Sequence, residues 1–260
     1  MNSSIRKFIF RDLRTIEGYI DPPDALVFLT LLQKQKIDKL EGGIAEIGVF
    51  YGRSYFLFKK ICGENTKILA IDLFDIDQTA DDTQPQYRRF IDNGRRLNLP
   101  VDEDLIIKGD STRLKPQEIT DKVGNVAFFS IDGGHMLSHV VSDSRLAMRT
   151  LAGCGVIAFD DTFNPAWPEV TVAVADFLRE NSGTFCAFCM TKYKTYVCRR
   201  EFHEFYHKTI TEAPYLLAFD HVDTEFLGSN VARLDVPTNR RILYELMVRF
   251  GMSSFAGWIY

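Results

Sequence analysis

Short, almost unbroken apolar runs recur along the first two thirds of this chain, and helical patterns separate them. The runs at 43–48, 67–73, 105–108, 125–132 and 155–160 are too short for core helices. Val126, Ala127, Phe128, Phe129 and Ile131 show the pattern most plainly. Strands that read this way are covered on both faces. Between them, 52–62, about 85–98, 137–151 and 169–179 read as helices, and Val170, Ala173, Val174 and Phe177 fall at helical spacing. Strands alternating with helices build βαβ units and a parallel sheet.

The alternation then stops. Strands at 184–190 and 195–199 are joined by Thr191-Lys192-Tyr193-Lys194, too few residues for a crossover helix. They form a hairpin, so one of them runs antiparallel to the rest. Asp21-Pro22-Pro23 caps a helix running through Gln33, with Pro in its first turn. A further helix is expected near 238–250. With 260 residues, of which 46% are hydrophobic, the chain suits one large core with appendages. The expected fold is α/β: a Rossmann-like mixed sheet, mostly parallel, with a terminal antiparallel hairpin and helices on both faces. Residues 1–40 form a helical cover, 41–200 the sheet domain, and 201–260 a C-terminal extension of unassigned role, rich in aromatics through Phe255, Trp258 and Tyr260.

Composition removes several function classes. The net charge is −4, so a phosphate backbone is a poor partner and no nucleic acid is expected. No apolar stretch approaches the roughly 18 residues of a membrane span, and no apolar segment follows the basic N-terminus as in a secretory signal. Five cysteines without framework spacing fit a reducing compartment, and a cytoplasmic location is expected. Cys186-x-x-Cys189 lies in a strand-like run and reads as core packing.

Ligands of open α/β sheets bind beyond the carboxyl ends of the strands. Here the first strand ends in Glu46-Ile-Gly48 and continues to Gly52-Arg-Ser54, and the second ends in Asp72. The third ends in Gly109-Asp110-Ser111, the fourth in Asp132-Gly-Gly-His135, and the fifth in Asp160-Asp161. Helix capping accounts for one or two such acids, not for all of them. Glu46-x-Gly48-x-x-x-Gly52 lacks the first glycine of a dinucleotide loop; an acid there repels a pyrophosphate and suits a cationic amino group. Asp72 is placed to accept ribose hydroxyls, and Asp110 with Ser111 to meet an adenine edge. A nucleoside carrying a cationic amino acid, without phosphates, is S-adenosylmethionine.

With these residues in view, the chain resembles a class I S-adenosylmethionine-dependent methyltransferase, whose seven-stranded sheet ends in such a hairpin. More narrowly it resembles the macrocin-type, metal-dependent O-methyltransferases over roughly residues 17–200. The motifs are Asp132, His135, Val140 and Asp143; then Cys154-Gly155-Val156-Ile157-Ala158-Phe159-Asp160-Asp161; then Trp167, Val170, Ala173 and Phe177; and, upstream, Glu17–Ile20. Leu137 stands where the family has an aromatic, and Cys154 where it has Gly.

Asp132, Asp160 and Asp161 converge from neighbouring strand ends, and three uncompensated carboxylates repel one another. A hard divalent cation such as Mg²⁺ resolves this. It would hold oxygens of a hydroxylated small-molecule acceptor, with His135 as general base. The resemblance implies the same ligands and base, and Asp132 also belongs to the cofactor set. Alternatives stay open: His135 as a helix cap, and Asp160-Asp161 binding acceptor hydroxyls directly. Asp143 is expected on a solvated helix face, with a supporting contact behind the site as the alternative, and His139 on the surface. Trp167 either lines the acceptor pocket or staples the loop after the fifth strand. The Asp75–Asp82 run is a solvated loop or a lid, and the tail is a cover, a contact in a homo-oligomer or part of the core. The rival functions are a nicotinamide dehydrogenase and a catalytically silent sensor or interaction protein.

Overall fold

The computed structural model describes residues 1–76, 85–252 and 255. Most of the Asp75–Asp82 run, and Trp258 with Tyr260, lie outside the described residues. In chain order the elements begin with α1 (Ser3–Lys7), α2 (Pro22–Ile37), β1 (Gly43–Ile47), α3 (Arg53–Cys62), β2 (Ile68–Asp72) and α4 (Pro85–Arg96). Then come β3 (Ile106–Lys108), α5 (Pro116–Val123), β4 (Val126–Ile131), α6 (Leu137–Thr150), β5 (Leu151–Phe159) and α7 (Pro168–Glu180). The chain continues through β6 (Phe185–Met190), β7 (Thr195–Arg199), α8 (His203–Thr211), β8 (Asp220–Phe226), β9 (Ser229–Asp235) and α9 (Thr238–Arg249).

The sheet order is β3-β2-β1-β4-β5-β7-β6-β9-β8. The first seven strands in this order are the expected set, and β7 is the one that runs antiparallel, pairing with both β5 and β6. The sheet has nine strands rather than seven, because β9 pairs parallel with β6 and β8 closes the new edge as an antiparallel partner. Leu227 and Gly228 make the turn between them with positive φ at both positions. That turn matches the twist of the two strands but lacks the usual Asn-Gly signature.

Both faces of the sheet are covered. Phe28 of α2, Phe56 and Phe58 of α3, Phe90 of α4 and Tyr206 of α8 pack on one face. Ile119 of α5, Val140 and Leu146 of α6, and Val170 and Phe177 of α7 pack on the other. The helix α2 is more than a cover. Its Phe28 ring meets Phe58 at 5.1 Å, Phe128 at 5.4 Å and Tyr196 at 6.0 Å, tying α3, β4 and β7 together. Burying one such side chain contributes about 2–3 kcal/mol. Gln35 at its far end donates to Ala127 O at 2.8 Å and to the Tyr206 hydroxyl at 3.0 Å, which joins β4 to the C-terminal extension. Asp21 sits at the N-cap position of α2, but its side chain makes no capping bond. Among the described residues, no helix is long and apolar enough to cross a membrane.

The strand ends are aligned by the backbone ladder. Asp132 N donates to Ile47 O and Asp160 N to Ile131 O, each at 2.9 Å, so the acids after β4 and β5 finish on one edge beside β1. This alignment leaves no room at Gly48, which has φ +82° and whose Cβ, if present, would lie 1.7 Å from Asp132 O. Gly48→Ala is expected to cost about 3 kcal/mol or more, read as a lowered melting temperature. A variant as stable as the wild type would show that the β1 and β4 ends are not held this close.

Candidate active site

The strand ends open into a cavity of about 930 Å³. At one end its wall includes Gly48, Ser54, Asp72, Asp110 and Ser111; at the other it includes Asp132, His135, Asp160, Asp161 and Trp167. Nine of the expected site residues thus share one chamber; Gly52 and Glu46 do not line it. Glu46 does not reach the surface of that chamber. It is 0% exposed in β1, and Ser54 Oγ donates to its Oε1. Burial pushes its carboxyl up to about 8, against the pull of the Ser54 hydroxyl and the Lys194 charge. Gly52, at φ +91°, is demanded by packing, since a Cβ there would enter the Phe56 and Phe90 rings.

The acids at β2 and β3 are fixed by their own loops. Asp72 Oδ2 accepts from Phe50 N and Oδ1 from Phe74 N, both at 2.8 Å. The buried Gln86 adds a bond to Oδ1 at 3.2 Å. Burial raises the Asp72 pKa against these donors. Asp110 caps the turn after β3, accepting from the Thr112 hydroxyl at 2.6 Å and amide at 2.9 Å, which hold its pKa low. Here the capping role is real, and it leaves Asp110 on the cavity wall.

The other end carries the denser chemistry. His135 Nε2 lies 2.9 Å from Asp161 Oδ2, and the imidazole stacks on Trp167 with ring centroids 4.2 Å apart and planes 10° from parallel. Trp167 therefore lines the chamber and orients His135. Asp161 also accepts from Asn164 Nδ2 at 2.6 Å and adopts φ +56°, a left-handed conformation in the turn after β5. Burial works against its charge, but the bonds from His135 and Asn164 prevail and keep its pKa below the usual range. Asp132 is driven the other way, first by burial and then by the charge of Asp160.

Asp160 is not left uncompensated. Its Oδ1 accepts from Asp161 N at 2.8 Å, and its Oδ2 is in an ion pair with Lys194 Nζ. Lys194 is 6% exposed, at the end of the β6–β7 connection. The antiparallel register that sets Phe159 opposite Thr195 brings the next pair, Asp160 and Lys194, face to face. Asp24, buried in the first turn of α2, supports this corner by accepting from Thr191 Oγ1 and the Tyr196 hydroxyl, both at 2.7 Å. For a divalent ion, Asp132, His135 and Asp161 each offer one donor atom, all within 4.8 Å of one another. That spacing and the surplus of negative charge fit a cation.

Residues 45–162 match the family model described as a methyltransferase domain. That stretch, a little under half of the chain, is similar to a methyltransferase domain. Its match begins inside β1 and stops just beyond Asp161, so it takes in the Asp132–His135 loop but neither Asp24 nor Lys194. Among solved structures, the O-methyltransferase NovP is similar over 68% of this chain and 79% of its own, at 15% identity and a TM-score of 0.56. CalS11, a TDP-rhamnose 3'-O-methyltransferase of calicheamicin biosynthesis, is similar over 68% and 79% at 19% identity, with a TM-score of 0.51. An O-methyltransferase from Bacillus cereus in complex with S-adenosylhomocysteine is similar over 76% and 90% at 13% identity, with a TM-score of 0.50. At these identities the likeness is one of fold. No curated protein matches the sequence.

Two expectations for the matched segment are corrected. Asp143 is not on a solvated face: it is 0% exposed, beneath the Asp132–His135 loop. His139 is half-buried against Gly134 and lines the chamber. Lys194 and Asp24 were missing from the expected set altogether. The pairing of Lys194 with Asp160 is set by the register of β7 against β5, which the sequence alone does not fix.

Burial pushes the Asp143 carboxyl up to about 6, against the pull of Ser111 and His139. Its folded pKa lies above the unfolded value near 3.8, so the protonated form is the stabilising one. That contribution is complete below about pH 4 and is lost as pH rises through about 6, on the order of 2–3 kcal/mol. Asp143→Asn is expected to flatten this segment of the stability–pH curve in denaturant titrations. An unchanged slope would place the shift elsewhere.

Proposed function

We propose that the protein is an S-adenosylmethionine-dependent O-methyltransferase that methylates a hydroxyl of a small molecule, a sugar or a natural-product scaffold, with assistance from Mg²⁺. The observation that carries this reading is the single chamber with cofactor-type acids at one end and the His135–Asp161 pair at the other. Asp110 and Ser111 flank the adenine, and Asp72 keeps a lone pair on Oδ2 for a ribose hydroxyl. The cationic amino group lies toward Ser54 and Glu46. Its charge draws Glu46 from the neutral form that burial favours to the carboxylate.

Methyl transfer is an in-line displacement. The acceptor oxygen forms its bond to the methyl carbon as the carbon–sulfur bond breaks, and the electron pair stays on sulfur to give S-adenosylhomocysteine. Nε2 of His135 donates to Asp161, which leaves Nδ1 as the basic atom to take the hydroxyl proton. The Asp161 carboxylate then stabilises the imidazolium. Trp167 holds the ring in place for this, and positioning of this kind supplies much of the remaining rate. Asp132 and Asp161 would hold the cation, with Asp160 adding its charge from beside Lys194. When bound, the cation supplies Lewis acidity to the reacting hydroxyl. The compact acidic set suits a hard ion that retains waters.

S-adenosylhomocysteine is expected to bind with a micromolar dissociation constant in calorimetry. Asp161→Ala is expected to keep that affinity while losing transfer of a labelled methyl group to hydroxylated acceptors. Absence of binding contradicts the cofactor assignment; loss of both properties makes Asp161 a support of the fold instead.

A further inference from the structure

The acidic corner of the chamber holds a feature that its carboxylates alone do not explain. Asp132, Asp160 and Asp161 bring up to three negative charges to adjoining strand ends, and Lys194 brings one positive charge among them. The ammonium reaches Asp160 from a strand turn, it is almost fully buried, and it lines the same chamber as His135 and Trp167. It is also held from behind. Thr191 N donates to Lys194 O at 2.9 Å and Lys194 N to Thr191 Oγ1 at 3.2 Å, while Thr191 itself is anchored on Asp24. Both the turn and its anchor lie outside the matched segment, residues 45–162.

A buried lysine so placed has two consequences. It engages Oδ2 of Asp160, while Oδ1 already accepts from the Asp161 amide, so Asp160 is less free than Asp132 or Asp161 to reach a cation. It also sets a fixed positive charge next to the space that Asp132, His135 and Asp161 surround. A unit positive charge within a few ångströms of a divalent ion, in a partly desolvated corner, opposes the attraction of the carboxylates for it.

We propose that Lys194 is a built-in cation that carries part of the charge a divalent metal would carry, and that it is the residue that sets how weakly this site holds such an ion. The metal then assists the reaction at the affinity that Lys194 permits, and the acidic edge stays folded without it. This rests on the reading of Asp132 and Asp161 as the cation site, but it is tested without any acceptor or turnover.

The test uses the full-length protein and Mn²⁺ as the probe, followed by electron paramagnetic resonance of the free ion. Wild type is expected to bind Mn²⁺ weakly, and Lys194→Met to bind it at least about tenfold more tightly. Lys194→Arg, which keeps the charge, is expected to behave as the wild type does. Removing one member of a buried ion pair also destabilises a fold. Melting temperatures are therefore measured with and without Mn²⁺, and only Lys194→Met is expected to be raised substantially by the ion. Equal or weaker Mn²⁺ binding in Lys194→Met overturns the proposal, as does a Lys194→Met protein that Mn²⁺ fails to stabilise. S-adenosylhomocysteine binding by the same variant separates the two readings. If it persists while Mn²⁺ affinity is unchanged, the role of Lys194 is wrong and the methyltransferase reading stands.

Discussion

Three aspartates can share one edge of this sheet because a buried ammonium group sits among them. Without Lys194, the charges of Asp160, Asp161 and Asp132 would face one another across strand ends spaced by the backbone ladder. Repulsion of that kind either protonates a carboxyl or opens the edge. With Lys194 in place, Asp161 stays ionised and bonded to His135, and Asp132 absorbs the remaining strain by favouring its protonated form. Under the proposed reading, such a corner attracts a cation and holds together when none is bound.

The parts of the chain outside the matched segment 45–162 make this corner possible. Asp24 comes from α2, and the Thr191–Lys194 turn comes from the terminal hairpin. The C-terminal extension holds that hairpin in turn. Its β9 pairs with β6, and Tyr206 of α8 donates to Cys154 O at the entry of β5. It also reaches the chamber, since Tyr244 of α9 accepts from Arg14 Nη1 at 2.8 Å on the cavity wall. The tail therefore extends the sheet and closes one side of the site.

The strand ends were readable because each acid is local to its own strand: Asp72, Asp110, Asp132 and Asp160 follow apolar runs that the eye can bound. Lys194 was not, because its partner is set by the register of β5 against β7, a pairing fixed by the whole sheet. Asp24 is 167 residues from Thr191, so no spacing in the sequence links them. Asp143 misled by residue type. Val140, Asp143, Ser144 and Ala147 fall on one helical stripe, and that stripe is the buried one. The β8–β9 hairpin is not legible in the sequence because β8 alternates weakly, with only Val222 and Phe226 as large apolar residues, and its turn is Leu-Gly. The helix α5, only eight residues long between two strands, carries too short an apolar pattern to be legible in the sequence.

Whether the strand-end chamber is the cofactor site is tested most directly by a crystal structure of the full chain grown with S-adenosylhomocysteine. The expected result is one molecule in the chamber, its adenine beside Asp110 and Ser111, its ribose on Asp72, its amino group toward Ser54, and its sulfur facing the His135–Asp161 pair. A chamber that remains empty at saturating ligand, or a molecule bound elsewhere on the protein, would contradict it.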